Sequence, residues 1–146
     1  MFFSIHSFIF LLVSGKRGSS IRETLYKFFT RLSILDLSPD GHQPMTLSCL
    51  CCDCFEKIWI VFNGEIYNFP ELKQSLIQEG HVFSSRTDTE VILHLYVQYG
   101  LDCLKKLNGM FSLAIYDARS QEVLLARDPM GVKPLYYAEI ADGVLF

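Results

Sequence analysis

The fold of this chain is decided by the stretch Ile58-Trp-Ile-Val-Phe-Asn-Gly64. The run from Ile58 to Phe62 is apolar on both faces, which is the pattern of a strand buried between two layers. Asn63 and Gly64 follow it, and because both residues tolerate positive φ, the pair is typical of a hairpin or bend. We therefore expect a central buried strand that ends at Asn63.

Around this strand, helix and strand signals fall into separate groups. Pro70 suits the first turn of a helix that Gly80 ends. The capping box Thr87-Asp-Thr-Glu90 precedes a second helix that reaches Gly100, and a short helix is predicted at 101–107. Strands are predicted at Arg31–Leu37, Val82–Arg86, Met110–Tyr116, Glu122–Arg127, Leu135–Ile140 and from Val144 onward. Strands grouped apart from a central helix pair predict the α+β class with antiparallel sheets.

Composition limits the classes of function. The chain has 146 residues, of which half are hydrophobic and a fifth charged, so we expect one folded domain. Its net charge is -3 and it has no basic stripe, so nucleic acid is not an expected partner. The five cysteines are odd in number and crowded, unlike a secreted disulfide framework, and a reducing cytoplasm is the expected compartment.

Two local features leave alternatives open. The apolar run Phe2–Val13 is too short to span a bilayer, so no membrane is expected; it is either a buried first strand, a start that is not the natural one, or a signal peptide. Lys16-Arg17 follows the run rather than preceding it, which argues against the signal peptide.

The cluster Cys49, Cys51, Cys52 and Cys54 invites a zinc interpretation, but the adjacent pair Cys51-Cys52 does not fit the usual ligand spacing, and an oxidation-prone loop is favoured. Cys103, in contrast, is predicted to be a small core residue.

Several long runs in one order resemble a known family. They are Arg31-Leu-Ser-Ile-Leu-Asp-Leu-Ser38, Gly41-His-Gln-Pro-Met45, Val61-Phe-Asn-Gly-Glu-Ile-Tyr-Asn68, Thr87-Asp-Thr-Glu-Val-Ile-Leu93, Leu107-Asn-Gly-Met-Phe111 and Ala126-Arg-Asp-Pro-Met-Gly-Val-Lys-Pro-Leu-Tyr-Tyr137. The chain resembles the glutaminase domain of glutamine-hydrolysing asparagine synthetases, a class II glutamine amidotransferase. The resemblance covers positions 31–45 and 58–146, so we expect a divergent N-terminal segment at 1–30 and a partial amidotransferase domain at 31–146.

The resemblance implies a fold and a mechanism. The fold is the N-terminal-nucleophile sandwich, in which two antiparallel sheets stack between helices as four layers (α/β/β/α), here incomplete. In the mechanism, the thiolate of an N-terminal cysteine attacks the carboxamide of glutamine, and the α-amino group of the same residue serves as base.

The resemblance also assigns site residues. Asn63, through its side-chain amide, and Gly64, through its backbone N–H, correspond to the oxyanion hole. Arg31 corresponds to the residue that binds the α-carboxylate of glutamine, and Asp88 and Glu65 correspond to those that bind its α-ammonium. Without the resemblance, each of these residues has an ordinary interpretation. Asn63-Gly64 would be interpreted as a turn, Asp88 as part of a helix cap and Arg31 as a surface residue. Arg127-Asp128 is interpreted as scaffold, with an ion pair beside a turn as the alternative.

The chain departs from the family pattern at its start. Position 2 is Phe, and no cysteine precedes Cys49. We therefore expect no glutaminase activity from this polypeptide, and we expect residues 1–30 to pack loosely.

The sequence also lacks the Gly-rich pyrophosphate loop of a synthetase domain. ATP and magnesium are implied only for that domain, and this chain is predicted to hold no cofactor and no metal. The expected partners are L-glutamine and a separate or lost synthetase domain. Three hypotheses follow: the glutamine-binding part of an asparagine synthetase, a non-catalytic regulatory domain, or a decayed gene fragment.

Overall fold

A computed structural model of the protein describes residues 12–14, 43–48, 57–140 and 143–146. In chain order the elements are β1 (Leu12–Ser14), β2 (Met45–Ser48), β3 (Lys57–Ile66), α1 (Phe69–Gln78), α2 (Asp88–Tyr99), a 3₁₀ helix (Gly100–Lys106), β4 (Gly109–Asp117), β5 (Glu122–Arg127), β6 (Ala138–Ile140) and β7 (Gly143–Leu145). They divide between two compact units, one within Ser33–Pro134 and the other holding β1, β6 and β7.

The larger unit is built on a four-stranded antiparallel sheet in the order β2-β3-β4-β5. Ile58, Ile60, Phe62 and Ile66 of β3 lie on one face of this sheet, and their buried side chains pack with Ile92 and Leu93 of α2. Phe111, Leu113 and Ile115 of β4 join the same core. Burial extends over both faces of β4 from Phe111 to Asp117. The prediction that these two apolar runs are central buried strands is confirmed.

The predicted end of β3 at Asn63 is wrong. The strand continues through Asn63 and Gly64 to Ile66, and Gly64 is in register with Phe111 of β4. Gly64 has φ +153°, a value that glycine adopts without strain, so the local turn preference of Asn-Gly yields to pairing along β4. The extended strand places Asn63 and Gly64 inside the sheet.

The capping box before α2 forms only in part. The Thr87 hydroxyl accepts a hydrogen bond from the Glu90 N–H at 3.3 Å, as an N-cap should. The Glu90 carboxylate instead accepts from the N–H groups of Ser84 (2.7 Å) and Ser85 (2.6 Å). These contacts fix the segment before α2 as a series of bends, so the strand predicted at Val82–Arg86 is wrong.

The helical segment between β3 and β4 is closed by a clasp around Asn68. The Asn68 side chain donates to the Lys106 carbonyl at 2.9 Å and accepts from the Asn108 N–H at 3.0 Å. Next to it, the Tyr67 N–H donates to the Asn108 carbonyl at 2.7 Å. The clasp therefore joins the residues that leave β3 to those that enter β4.

The smaller unit contains a three-stranded antiparallel sheet in the order β1-β7-β6. β1 pairs with β7 from Leu12↔Leu145 to Ser14↔Gly143, so these three residues of the segment expected to pack loosely lie in a sheet. The strand predicted at Leu135–Ile140 is shorter than expected and begins at Ala138. The other residues of 1–30, the strand predicted at Arg31–Leu37 and the cysteine cluster at 49–54 lie outside the described residues.

The α+β class is confirmed by the larger unit, in which α1 and α2 accompany an antiparallel sheet, and the described sheet of the smaller unit is antiparallel as well. Within the described ranges, no helix combines the length and apolar character that crossing a membrane requires. Cys103 on the 3₁₀ helix is fully buried with Leu76, Val91 and Leu95, which confirms its prediction as a core residue.

Candidate functional site

The outer edge of β3 carries backbone donors that the described strands of the sheet do not use. The β2–β3 pairing runs only to Met45↔Ile60. Beyond it, the Phe62 N–H donates to the side-chain Oε1 of Gln43 at 2.6 Å, and the Ile66 N–H donates to Oδ2 of Asp88 at 3.1 Å. Because alternate residues of a strand point their N–H groups to the same edge, the Gly64 N–H is directed to this edge, between the two side-chain acceptors.

The opposite edge of the strand pair agrees with this assignment. Phe111, the register partner of Gly64, uses both its backbone groups on the β5 side: its N–H donates to Oδ2 of Asp128 at 3.2 Å, and its carbonyl accepts from the Asp128 N–H at 2.8 Å. Gly64 and Phe111 therefore face each other as a non-hydrogen-bonded pair, which leaves the Gly64 N–H pointing away from β4.

β3 and β4 approach each other closely at Gly64. A Cβ atom at this position would collide with the Met110 carbonyl oxygen and come within 2.7 Å of the Phe111 Cα. Gly109 is placed in the same way against the Glu65 carbonyl. The absence of a side chain at both positions is thus a condition for the strand pairing that presents the Gly64 N–H.

Asn63 and Glu65 lie on the sheet face opposite to Phe62 and Ile66, because side chains alternate along a strand. The Asn63 side chain is half-buried, and that of Glu65 is exposed. Asn63 thus brings an amide, with both donor and acceptor capacity, next to the Gly64 N–H. Glu65 offers a carboxylate to solvent on the same face as Asn63.

Asp88 is the buried first residue of α2. Its Oδ2 holds the Ile66 N–H, two residues along β3 from Gly64. An ionised carboxylate is acceptor-only and takes several donors at once, so Asp88 also suits a cationic ligand group at this edge. The structure therefore brings Asn63, Gly64 and Asp88 together at the end of β3, with Glu65 beside them on the outward face, while Arg31 lies outside the described residues.

Two residues with supporting contacts were given no site role by the sequence. Gln43 is buried and connects the β3 edge to α2, since its Nε2 donates to Thr89 Oγ1 at 3.4 Å. The sequence signal that could have identified Gln43 is a polar residue directly before a proline, within a run that already resembles the family. The partners of Gln43 are 19 and 46 residues away, and no local pattern indicates contacts at such distances along the chain.

Asp128 makes contacts that the alternative of a simple ion pair with Arg127 does not describe. Its carboxylate accepts from the N–H groups of Phe111, Val132 (2.9 Å) and Lys133 (3.0 Å). Burial opposes ionisation, but these backbone donors together with the nearby charge of Arg127 lower the pKa of Asp128 below its usual value. The Arg127 guanidinium itself donates to the Gly131 carbonyl at 2.7 Å. The scaffold interpretation of this block therefore fits its contacts.

Metal binding finds no support in this part of the chain. Among the residues that the structure describes, no group of three or more His, Cys, Asp or Glu side chains is arranged to hold a metal ion. The chemistry that the site offers is recognition by a carboxylate, an amide and a backbone N–H.

Comparison of sequences gives one consistent result. Residues 15–146 match the family described as a glutamine amidotransferase domain. The chain is 43% identical over 118 residues to asparagine synthetase [glutamine-hydrolyzing] 1 of Bacillus subtilis (strain 168), a match that covers 81% of this chain and 18% of that protein. It is 38% identical over 116 residues to asparagine synthetase [glutamine-hydrolyzing] 3 of the same organism, covering 80% of this chain and 18% of the relative. The chain thus spans about a fifth of the length of these curated relatives.

Comparison of structures points to the same fold. A glutamine phosphoribosylpyrophosphate amidotransferase from B. subtilis, solved with ADP and GMP, matches with a TM-score of 0.60 and 27% identity over 70% of this chain and 23% of its own. A structure described as the allosteric regulatory enzyme of purine biosynthesis matches with a TM-score of 0.61 and 26% identity, over 73% of this chain and 23% of its own.

Proposed function

The chain belongs to the glutamine amidotransferase domain family, and we propose that it binds L-glutamine at the outer edge of β3. The observation that carries this proposal is the position of the Asp88 carboxylate, which holds the Ile66 N–H two residues from Gly64. A buried anion next to a strand-edge donor and the Asn63 amide offers complementary groups to an amino acid that has an ammonium and a carboxamide.

Each group of glutamine has an assigned partner. The α-ammonium binds Asp88 and Glu65, and the α-carboxylate binds Arg31, whose guanidinium suits a carboxylate in bidentate geometry. The carboxamide oxygen accepts from the Gly64 N–H and the Asn63 side chain, the same donors that would stabilise an oxyanion. Binding and chemistry are separable here because none of these contacts involves a thiol.

Hydrolysis is not part of the proposal for this polypeptide. Amide hydrolysis in the family's manner needs a thiolate, and no cysteine precedes Cys49 in this sequence. Cys103 is fully buried, and burial raises its thiol pKa to about 11, so it is no substitute. We propose that any amidation of aspartate, with its ATP and magnesium, is performed in the cytoplasm by a synthetase domain distinct from this glutamine-binding domain. The alternative is a regulatory role in which glutamine binding is itself the signal.

The test is a titration of the ¹⁵N-labelled chain with L-glutamine, followed by NMR. We expect a dissociation constant of about 1 mM or weaker. Asp88→Asn keeps an acceptor for the Ile66 N–H but removes the charge, and it should weaken binding about tenfold, since hydrogen bonds to charged groups contribute more than neutral ones. Asp102→Asn removes an exposed carboxylate that pairs with Lys105 and is the matched control. Equal affinity of wild type and Asp88→Asn would refute the assigned site.

A further inference from the structure

We infer that Gln43 is a positioning residue that sets the Gly64 N–H for the carboxamide oxygen of glutamine. The inference rests on the proposed function and assigns a role to a residue outside the predicted ligand set. Gln43 is 8% exposed, and its side-chain amide contacts protein groups at both ends.

Gln43 replaces the backbone of β2 where the ladder ends. The β2–β3 register pairs Met45 with Ile60, and continuing it would place Gln43 opposite Phe62. Opposite Phe62, the side-chain Oε1 of Gln43 accepts the Phe62 N–H at 2.6 Å. This hydrogen bond holds the edge of β3 at a position that β2, which begins at Met45, does not reach.

The other end of the side chain reaches α2. Gln43 Nε2 donates to Thr89 Oγ1 at 3.4 Å, and the neighbouring Asp88 holds the Ile66 N–H at 3.1 Å. The first turn of α2 is therefore joined to β3 on both sides of Gly64, through Gln43 at Phe62 and through Asp88 at Ile66. These two links hold the donors at 62 and 66, and the Gly64 N–H is the donor between them.

This arrangement predicts an effect that depends on the ligand. A residue that only stabilises the fold would change the affinity for every ligand of the site by the same factor. A residue that positions the Gly64 N–H changes only the contact with the carboxamide, because a displacement of about 1 Å is enough to lose most of such a contact. L-Norvaline has the same α-amino acid group but a propyl side chain without the carboxamide, so it reports the first kind of effect alone.

The experiment measures the dissociation constants of L-glutamine and L-norvaline by ¹⁵N NMR titration of wild type, Gln43→Met and Thr89→Val. Gln43→Met removes both links at similar side-chain size, and Thr89→Val removes only the acceptor on α2. Gln74→Met, on the exposed surface of α1, is the matched control. We expect Gln43→Met to weaken glutamine binding about three- to tenfold, the value of one neutral hydrogen bond, with norvaline affinity unchanged.

The outcomes separate this inference from the function on which it rests. If wild type binds glutamine no better than norvaline, the proposed function is wrong and this inference falls with it. If wild type prefers glutamine but Gln43→Met has no effect, or weakens both ligands equally, the function stands and the positioning role is overturned. Should Gln43→Met fail to fold, Thr89→Val decides by the same comparison, with a smaller loss confined to glutamine as the supporting result.

Discussion

Asp128 and Phe111 are linked twice, by a hydrogen bond from the Asp128 N–H to the Phe111 carbonyl at 2.8 Å and by one from the Phe111 N–H to the Asp128 carboxylate at 3.2 Å. The same carboxylate accepts from Val132 and Lys133 and so fixes the turn after β5. One buried side chain thus attaches this turn to β4, directly across from Gly64.

Substitution of Asp128 should therefore destabilise the domain. Asp128→Ala leaves three backbone N–H groups without their acceptor, whereas Asp128→Asn keeps one acceptor oxygen. We expect the urea midpoint to fall in the order wild type, Asn, Ala, measured by circular dichroism. Asp102→Ala, which removes an exposed partner of Lys105, should leave the midpoint unchanged. Equal midpoints for Asp128→Ala and wild type would contradict the structural role.

Glu90 should make stability depend on pH in the acid range. Burial opposes ionisation, but His94, whose Nε2 lies 3.9 Å from the carboxylate, and hydrogen bonds from Ser84 and Ser85 lower the pKa of Glu90 from 4.5 to about 2. Because the pKa of Glu90 is lower in the folded state than in the unfolded state, its ionised carboxylate stabilises the fold fully above about pH 4.5. This stabilisation is lost as the pH falls toward 2. Its size at neutral pH is about 1–2 kcal/mol once solvent screening is allowed for.

The measurement is urea unfolding of wild type and Glu90→Gln between pH 7 and pH 3. The difference in free energy of unfolding between wild type and Glu90→Gln should become smaller as the pH falls. Two other carboxyl groups also have a lowered pKa although burial opposes it: Asp117 through Arg119, and Asp128 through backbone donors. Wild type and Glu90→Gln will therefore both lose stability in acid, and only the difference between them reports on Glu90. Glu71→Gln on the exposed first turn of α1 is the control. A gap that stays constant with pH would show that Glu90 has no lowered pKa.

The close approach of β3 and β4 predicts two costly substitutions. Gly64→Ala combines a collision at Met110 with a strained φ and should cost about 2–5 kcal/mol. Gly109→Ala meets only the collision with Glu65 and should cost about 1–3 kcal/mol. Urea denaturation measures both against Ser120→Ala in the exposed β4–β5 turn. If Gly64→Ala unfolds at the same midpoint as this control, the strand pairing at Gly64 is not as described.

Cys103 should be unreactive while the domain is folded. Its side chain is fully buried, and burial raises its thiol pKa to about 11, so little thiolate is present at pH 8. Treatment with iodoacetamide followed by mass spectrometry of tryptic peptides should find Cys103 unmodified in buffer and modified in 8 M urea. The cysteines at 49–54 lie in another tryptic peptide, 32–57, which the same digest reports in parallel. Modification of Cys103 in buffer at the rate seen in urea would show that this core is open.

The sequence predicted those features that depend on local pattern. Continuous apolar runs identified β3 and β4, and the Thr87 cap marked the start of α2. It failed where distant pairing decides the outcome: Asn63-Gly64 has the local preference of a turn, but the register with Gly109–Phe111 extends the strand. Glu90 has the spacing of a capping box, but Ser84 and Ser85 compete for its carboxylate.

The candidate site divides in the same way. Asn63, Gly64 and Asp88 were assigned through family resemblance; the structure places the Gly64 N–H and the Asp88 carboxylate at one edge of β3 and the Asn63 side chain on the adjacent sheet face. The exposure of Glu65 follows from the strand continuing past Asn63, which the pattern did not indicate. Gln43 was missed because its role depends on Thr89, 46 residues away, and such contacts leave no periodic trace in the sequence.

The clasp at Asn68 has a consequence for how the chain folds. β3 and β4 are neighbours in the sheet, yet residues 67–108 separate them, so their pairing requires closure of a long loop at an entropic cost of about 3 kcal/mol. β4 and β5 are joined by the short turn at 118–121 and need no such closure. We expect this hairpin to form first and β3 to be added late, once α1 and α2 have brought Tyr67 and Asn108 together. Pulsed hydrogen exchange should then detect protection in β4 and β5 before β3, and simultaneous protection of all three strands would exclude this order.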